Sequence, residues 1–303
     1  MPAPRRRFLQ SAAGLAGVSA MAAPAPAQPI LPTVKLGGRD VTRLIIGANP
    51  FYGYSHFNRL FDEVMREWST PENVCATLRQ CEANGINTWQ FSYHQRGMAD
   101  LDRHRAEGGR LQWILLSSGE LHNDAALVRK AAARKPIGIV HHGGITDRLA
   151  RAREFGKIRT FLKQVRDAGV LAGLSSHNPD NIARSEEEGW EADFYMTCCY
   201  QVTRPPDEVR KITGELPLGE VYLEGDPDRM FKVVRRTRKT CLAFKILAAG
   251  RRINTPAEID RAFHYTFDNI KPQDGVIVGM WPKFKDEVAE NASRVRKLLG
   301  GRS

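Results

Sequence analysis

The chain has 303 residues, 42% of them hydrophobic and 26% charged, an ordinary globular composition with enough length for one large core. Its body holds no run of about 18 apolar residues, which excludes a transmembrane helix there. The net charge of +11 is spread along amphipathic stretches, with no basic block interleaved with aromatics, so nucleic acid is not an expected partner. The cysteines, Cys75, Cys81, Cys198, Cys199 and Cys241, fit no zinc spacing. They read as buried thiols behaving as small hydrophobes.

Residues 5–10 read RRRFLQ, the order of a twin-arginine export signal. An apolar stretch rich in Ala and Gly, SAAGLAGVSAMAA, follows, and Ala25-Pro26-Ala27 offers the small-x-small pattern of a cleavage site. The expectation is a signal peptide over 1–27, read by the twin-arginine translocase. The protein would reach the periplasm, or another extracytoplasmic space, already folded and with no membrane anchor after cleavage. Residues 28–43 then make an N-terminal segment or hairpin, and 44–303 a single domain.

From residue 44 onward, short apolar runs alternate with amphipathic stretches. The predicted strands are LIIGANP (44–50), INTWQF (86–91), LQWILLSS (111–118), IGIVHH (137–142), VLAGLSS (170–176), DFYMTCC (193–199), CLAFKILA (241–248) and GVIVGM (275–280). Each is short, aliphatic or β-branched, and bounded by turn residues. The helices between them carry start signals such as Thr70-Pro71 and the capping box Thr255-Pro256-Ala257-Glu258. Their inward stripes include Val74, Leu78 and Cys81, then Ile158, Phe161, Leu162 and Val165. Later stripes are Ile259, Ala262, Phe263 and Phe267, then Val288, Ala292, Val295 and Leu299. Strict strand–helix alternation implies a parallel sheet. Eight units in about 260 residues match a single (β/α)8 barrel of the α/β class.

Barrel sites are built at the C-terminal ends of the strands. Two connections on that side, 51–69 and 201–227, exceed the length of a turn and read as lids or pocket walls. The polar residues at strand ends there are the candidate working set. Asn49, Gln90, His94, Asn178 and Tyr200 are candidate substrate contacts. His142, His177, Glu120 and Lys245 are candidate catalytic groups. His142, His177 and Glu120 come from neighbouring strands, and such a trio could hold a divalent metal. Lys245 interrupts an apolar strand, so it must face the mouth or find a carboxylate, with Glu120 and Asp147 as the candidates. Its functional readings are anion or hydroxyl binding, proton transfer at a lowered pKa, or a Schiff-base amine.

Four stretches carry a family resemblance: KLGGRDVTRLIIGANPFYG, GINTWQ, GLSSHNPDNI at 173–182, and VIVGMWPKFKDEVAEN. In order and spacing they resemble the aldo-keto reductase superfamily over nearly all of residues 34–299. The resemblance implies an aldo-keto-reductase-like barrel and NADP as a candidate cofactor. Ser175 and Ser176 fall at nicotinamide-contacting positions, and Tyr200 at the stacking ring. The family's proton-transfer tetrad is largely missing. Gln90 stands at its Asp, Ser117 or Ser118 near its Lys and Gln95 at its Tyr, while His141 or His142 retains its His.

Three functional readings follow. The first is an exported enzyme of acid–base chemistry, with or without a metal, a lyase, isomerase or hydrolase acting on a polar, carbohydrate-derived small molecule. The second is an NADP-dependent oxidoreductase with a replaced tetrad. The third is a binding barrel without catalysis.

Overall fold

The computed structural model describes residues 31–300. The export signal expected over 1–27 lies outside them. The chain opens with an antiparallel hairpin of β1 (Thr33–Leu36) and β2 (Arg39–Thr42). The barrel strands follow: β3 (Leu44–Gly47), β4 (Thr88–Ser92), β5 (Gln112–Leu116), β6 (Gly138–His141), β7 (Leu171–Ser176), β8 (Phe194–Cys198), β9 (Cys241–Phe244) and β10 (Gly275–Gly279). All pair in parallel, and β10 closes on β3. The α/β, single (β/α)8 architecture is the one expected.

After β3 come α1 (Arg59–Trp68) and α2 (Pro71–Ala83); α3 (Gln95–Ala106) follows β4. A short α4 (Gly119–Asn123) and α5 (Ala125–Ala132) follow β5, and α6 (Gly143–Arg151) and α7 (Phe155–Asp167) follow β6. α8 (Pro179–Glu187) follows β7, and α9 (Pro206–Thr213) and α10 (Asp226–Arg236) follow β8. α11 (Pro256–Asn269) and α12 (Glu287–Leu299) complete the ring. Among the described residues no helix is long and apolar enough to cross a membrane.

Strands covered on both faces read as unbroken apolar runs, and β3, LIIG, is buried at all four positions. One core lies inside the barrel, where Ile45, Ile114, Val140, Phe194, Met196 and Leu242 meet. The hairpin closes the N-terminal end by adding Leu36 and Val41 to that cluster. Gly173 leaves the space that the Phe194 ring fills, since a Cβ there would sit 2.7 Å from Phe194 Cζ. A larger core lies between sheet and helices and buries the stripes expected on α2, α7 and α12. At the start of α11, Thr255 Oγ1 accepts from Glu258 N at 3.2 Å. The Glu258 carboxylate accepts from Asn254 N rather than closing the box on Thr255.

The strand expected over 241–248 ends four residues early. CLAFKILA leaves extended geometry after Phe244 because Lys245 is left-handed, with φ of 60°. Ala248 and Ala249 are left-handed as well. Such conformations cost about 1–3 kcal/mol each for residues with a Cβ and persist only where surrounding structure enforces them. The turn that aims Lys245 is therefore held under strain.

Candidate active site

The C-terminal ends of the strands surround a cavity of about 1060 Å³. His142, His177, Lys245, Gln90, Ser175 and Asn49 all line it, and Glu120 and His94 stand in its wall. The residues expected to converge on one mouth from β6, β7 and β9 do so.

The most ordered feature is Asp147, on α6. Its Oδ1 accepts from the Ser176 hydroxyl and from Asn181 Nδ2 at 3.0 Å. Its Oδ2 accepts from His177 Nδ1 at 2.7 Å, His177 N at 3.1 Å and Thr203 Oγ1 at 2.8 Å. Burial alone would raise this carboxyl, but the hydrogen bond and charge of His177, with the Ser176 and Thr203 hydroxyls, hold it below the usual carboxylate range. An ionised Asp147 keeps the proton of neutral His177 on Nδ1. Nε2 is then a lone-pair base on the cavity side, oriented as metal-bound and catalytic imidazoles are by a carboxylate. Gly143 permits this placement, since a Cβ there would lie 3.1 Å from His177 Cε1 and 2.9 Å from Ser175 Oγ.

His142 caps α6, its Nδ1 accepting from Gly144 N at 3.1 Å. Its neutral form therefore carries the proton on Nε2. Burial, and then the neighbouring His177, lower its pKa, so at neutral pH it is an uncharged donor. Ser117 Oγ, at the end of β5, accepts from His142 N at 3.0 Å and shares a 2.7 Å hydrogen bond with His122 Nε2. His141, the alternative at the family's His position, turns outward. It is fully buried, its ring lies 5.2 Å from Phe161 of α7, and its Nδ1 donates to Thr146 Oγ1 at 2.7 Å.

Lys245 is almost wholly buried, with 7% of its side chain exposed. Its ion partner is neither Glu120 nor Asp147. Nζ lies 4.0 Å from Glu220 and donates to the Tyr222 hydroxyl at 3.4 Å. Burial lowers its pKa, helped by Arg251 and opposed by Cys198 and Glu220. The long loops meet above it. Asn49 donates to His56 Nε2 at 3.1 Å, and His56 Nδ1 donates to Glu220 at 2.7 Å. Burial would raise Glu220, but the His56 hydrogen bond, Lys245 and the Tyr222 hydroxyl bring it to about 2. Arg251 bonds the His56 carbonyl and stacks on Tyr222, 4.0 Å from the ring centre. For His56, Glu220 and Tyr222 the length of the two loops is the only sequence signal.

Several expected residues have other work. His94 lines the cavity but caps α3, its Nδ1 accepting from Gly97 N at 3.0 Å. Asn178 caps α8, accepting from Asp180 N, and lies outside the cavity lining. Both follow a strand and precede a helix, where an exposed N–H demands a polar side chain. Tyr200 is also away from the mouth, buried, with its hydroxyl accepting from Arg252 at 3.0 Å. Glu120 is an exposed residue of α4 at the rim. Among the described residues no three His, Cys, Asp or Glu side chains converge as metal ligands, so His142, His177 and Glu120 do not form the expected trio. The nicotinamide set does not fit either. Ser175 lines the mouth, but the Ser176 hydroxyl is buried against Asp147 and Tyr200 is turned away. All five cysteines are free and buried.

No protein-family model and no curated protein matches the sequence. Solved structures do match. A truncated 3-deoxy-D-arabino-heptulosonate 7-phosphate synthase from Thermotoga maritima is 12% identical over 90% of this chain and 94% of its own, with a TM-score of 0.51. Gox0644 in its apo form is 10% identical over the same shares, with a TM-score of 0.54. An aldo/keto reductase from Brucella melitensis is 11% identical over 89% of this chain and 92% of its own, at 0.45. What the likenesses to the first two establish is the fold: this chain is a (β/α)8 barrel.

Proposed function

We propose that the protein is an enzyme of acid–base chemistry, an isomerase or lyase acting on a polar, carbohydrate-derived small molecule, exported before it works. The observation that carries the reading is the Asp147–His177 pair, set in one mouth with Lys245 and His142. His177 Nε2 takes a proton from the carbon next to a carbonyl. As charge passes to the carbonyl oxygen, the Lys245 ammonium and His142 Nε2–H donate to it. Where that carbon bears a hydroxyl, the hydroxyl proton passes to the old carbonyl oxygen and the proton held on His177 returns to the old carbonyl carbon, giving isomerisation. In the lyase case a group leaves from the next carbon and carries away a proton. A positioned general base contributes about 10²–10⁴-fold in rate, and donors aimed at the developing oxyanion add to it. No step passes through a metal or a nicotinamide.

The test is a panel of sugar-derived aldehydes, ketones and acids incubated with the protein in D2O and followed by proton NMR. The reading predicts protein-dependent exchange at the carbon next to the carbonyl for at least one compound. His177→Asn should abolish that exchange, and Lys245→Met should reduce it at least about tenfold. Exchange that survives His177→Asn, or NADPH-dependent reduction of the same compounds, would overturn it.

A further inference from the structure

Beside the polar mouth lies a second cavity of about 530 Å³, within the size range of small-molecule sites. The two share Asn49, His56, Gln90 and Lys245, so Lys245 stands where one opens into the other. Their walls differ in chemistry. The second cavity is bounded by Phe61 and Met65 of α1, by Ile277 of β10, and by Trp281 and Phe284 beyond β10.

The helix on one side is unusual. In α1, Phe61, Met65 and Trp68 follow i, i+4 and i+7, an apolar stripe that normally packs on a core. Yet α1 contains no buried residue. Phe57 extends the stripe by one turn and meets Phe61 edge-on at 5.5 Å, and both are exposed. Across the gap Trp281 holds Phe284 at 5.4 Å and touches Trp68 at 6.5 Å. Two aromatic walls thus face one another over open space instead of closing on it. Lys245 is a cation at the junction with the mouth, and its nearest carboxylate, 4.0 Å away, is held more closely by His56 and Tyr222.

We infer that this cleft holds an apolar part of the substrate, so that the substrate is amphipathic. Its oxygen-bearing end reacts at Lys245 and His177, and an apolar body lies between Phe61, Met65, Ile277 and Trp281. The inference rests on the proposed reaction for the position of the reacting end. Its apolar half stands on the cleft alone. Continuity of the cavities and the cation at their junction require one molecule with both characters. A bare sugar would leave the aromatic walls wet.

The experiment uses straight-chain alkanoates from butanoate to decanoate, below their aggregation limits, with the carboxylate standing for the oxygen end. Binding to the mature protein is measured by calorimetry. Affinity should rise roughly three- to fourfold per added methylene and then level off as the cleft fills. Phe61→Ser with Met65→Ser should flatten that dependence, and folding should survive because no residue of α1 is fully buried. Lys245→Met should weaken every member by a similar factor, about tenfold, and leave the dependence on length unchanged. His177→Asn should leave the dependence on chain length unchanged while abolishing proton exchange on the sugar-derived panel, which separates this inference from the catalytic reading. Absence of binding, affinity independent of chain length in the wild type, or a length dependence untouched by the α1 double variant would each overturn it.

Discussion

Replacing Asp147 by Asn removes one charge from the centre of the site and almost no volume. The five donors around the carboxylate divide between its oxygens: Ser176 and Asn181 on Oδ1, and both His177 nitrogens' hydrogens with Thr203 on Oδ2. An amide offers one oxygen and one NH2. With the NH2 in the Oδ2 place, three donors face a donor. Turned over, it faces Asn181 and the Ser176 hydroxyl, which can rotate to accept. The second arrangement costs less, yet the charge-assisted bonds are lost in both. Leaving a buried donor unpaired costs about 1–3 kcal/mol and a hydrogen bond to a charged group contributes about 1.5–3 kcal/mol, so a loss of about 3 kcal/mol is expected. For a domain of this size each kcal/mol moves Tm by about 2–4 °C, hence a drop of roughly 6–12 °C by calorimetry at pH 7. The pH dependence is a second signature. A carboxyl held below its unfolded value of about 3.9 stabilises the fold above that pH and loses the contribution as pH falls through its folded value. Wild type should therefore have an acid limb below about pH 4 that is smaller in the variant. A variant within about 1 kcal/mol of wild type, with the same acid limb, would refute the role given to Asp147.

Further predictions follow from the same contacts. Burial lowers the pKa of His94, His122, His141 and His142, His122 to about 4. The unfolded chain therefore takes up protons before the folded one, and stability should be full above about pH 6.5 and fall steadily toward pH 4. Urea unfolding across that range checks it; a flat profile would contradict the buried imidazoles. Asp226→Ala removes the buried carboxylate beneath Arg204 at the base of the 201–227 loop and leaves the guanidinium with the Gln201 carbonyl and the exposed Glu208. A cost of about 3–5 kcal/mol is expected, with faster proteolysis of that loop, and a change below about 1 kcal/mol would remove the anchor. Replacing Arg5 and Arg6 by Lys should leave precursor in the cytoplasm; normal export through an intact twin-arginine system would end the proposal that RRRFLQ is an address.

The barrel was legible because its strands are covered on both faces. LIIG, CLAF and GVIVG are buried almost throughout, so each reads as an apolar run of strand length. Lys245 was legible for the opposite reason, a charge inside such a run. Its partner was not, because Glu220 lies in a loop without periodicity and meets His56, 164 residues away, only in space. Polar residues at strand ends were the weakest guide. Asn178 and His94 answer the capping needs of α8 and α3, and at that junction a cap and a ligand call for the same residue types. The sequence offers Asp147 only as a candidate ion partner for Lys245. That it gathers five donors depends on α6, β7 and the 201–227 loop arriving together.

In the proposed site Asp147 fixes His177 with its proton on Nδ1 and a basic Nε2 toward the mouth, while His142 presents Nε2–H. Long-range nitrogen–proton correlation NMR of the 15N-histidine-labelled protein, assigned with His177→Asn and His142→Gln, reads both tautomers directly. Expected are an Nδ1–H signal for neutral His177 that is lost as the preferred form in Asp147→Asn, and a neutral Nε2–H tautomer of His142 that persists below pH 6.5. Neutral His177 protonated on Nε2 in the wild type would contradict it.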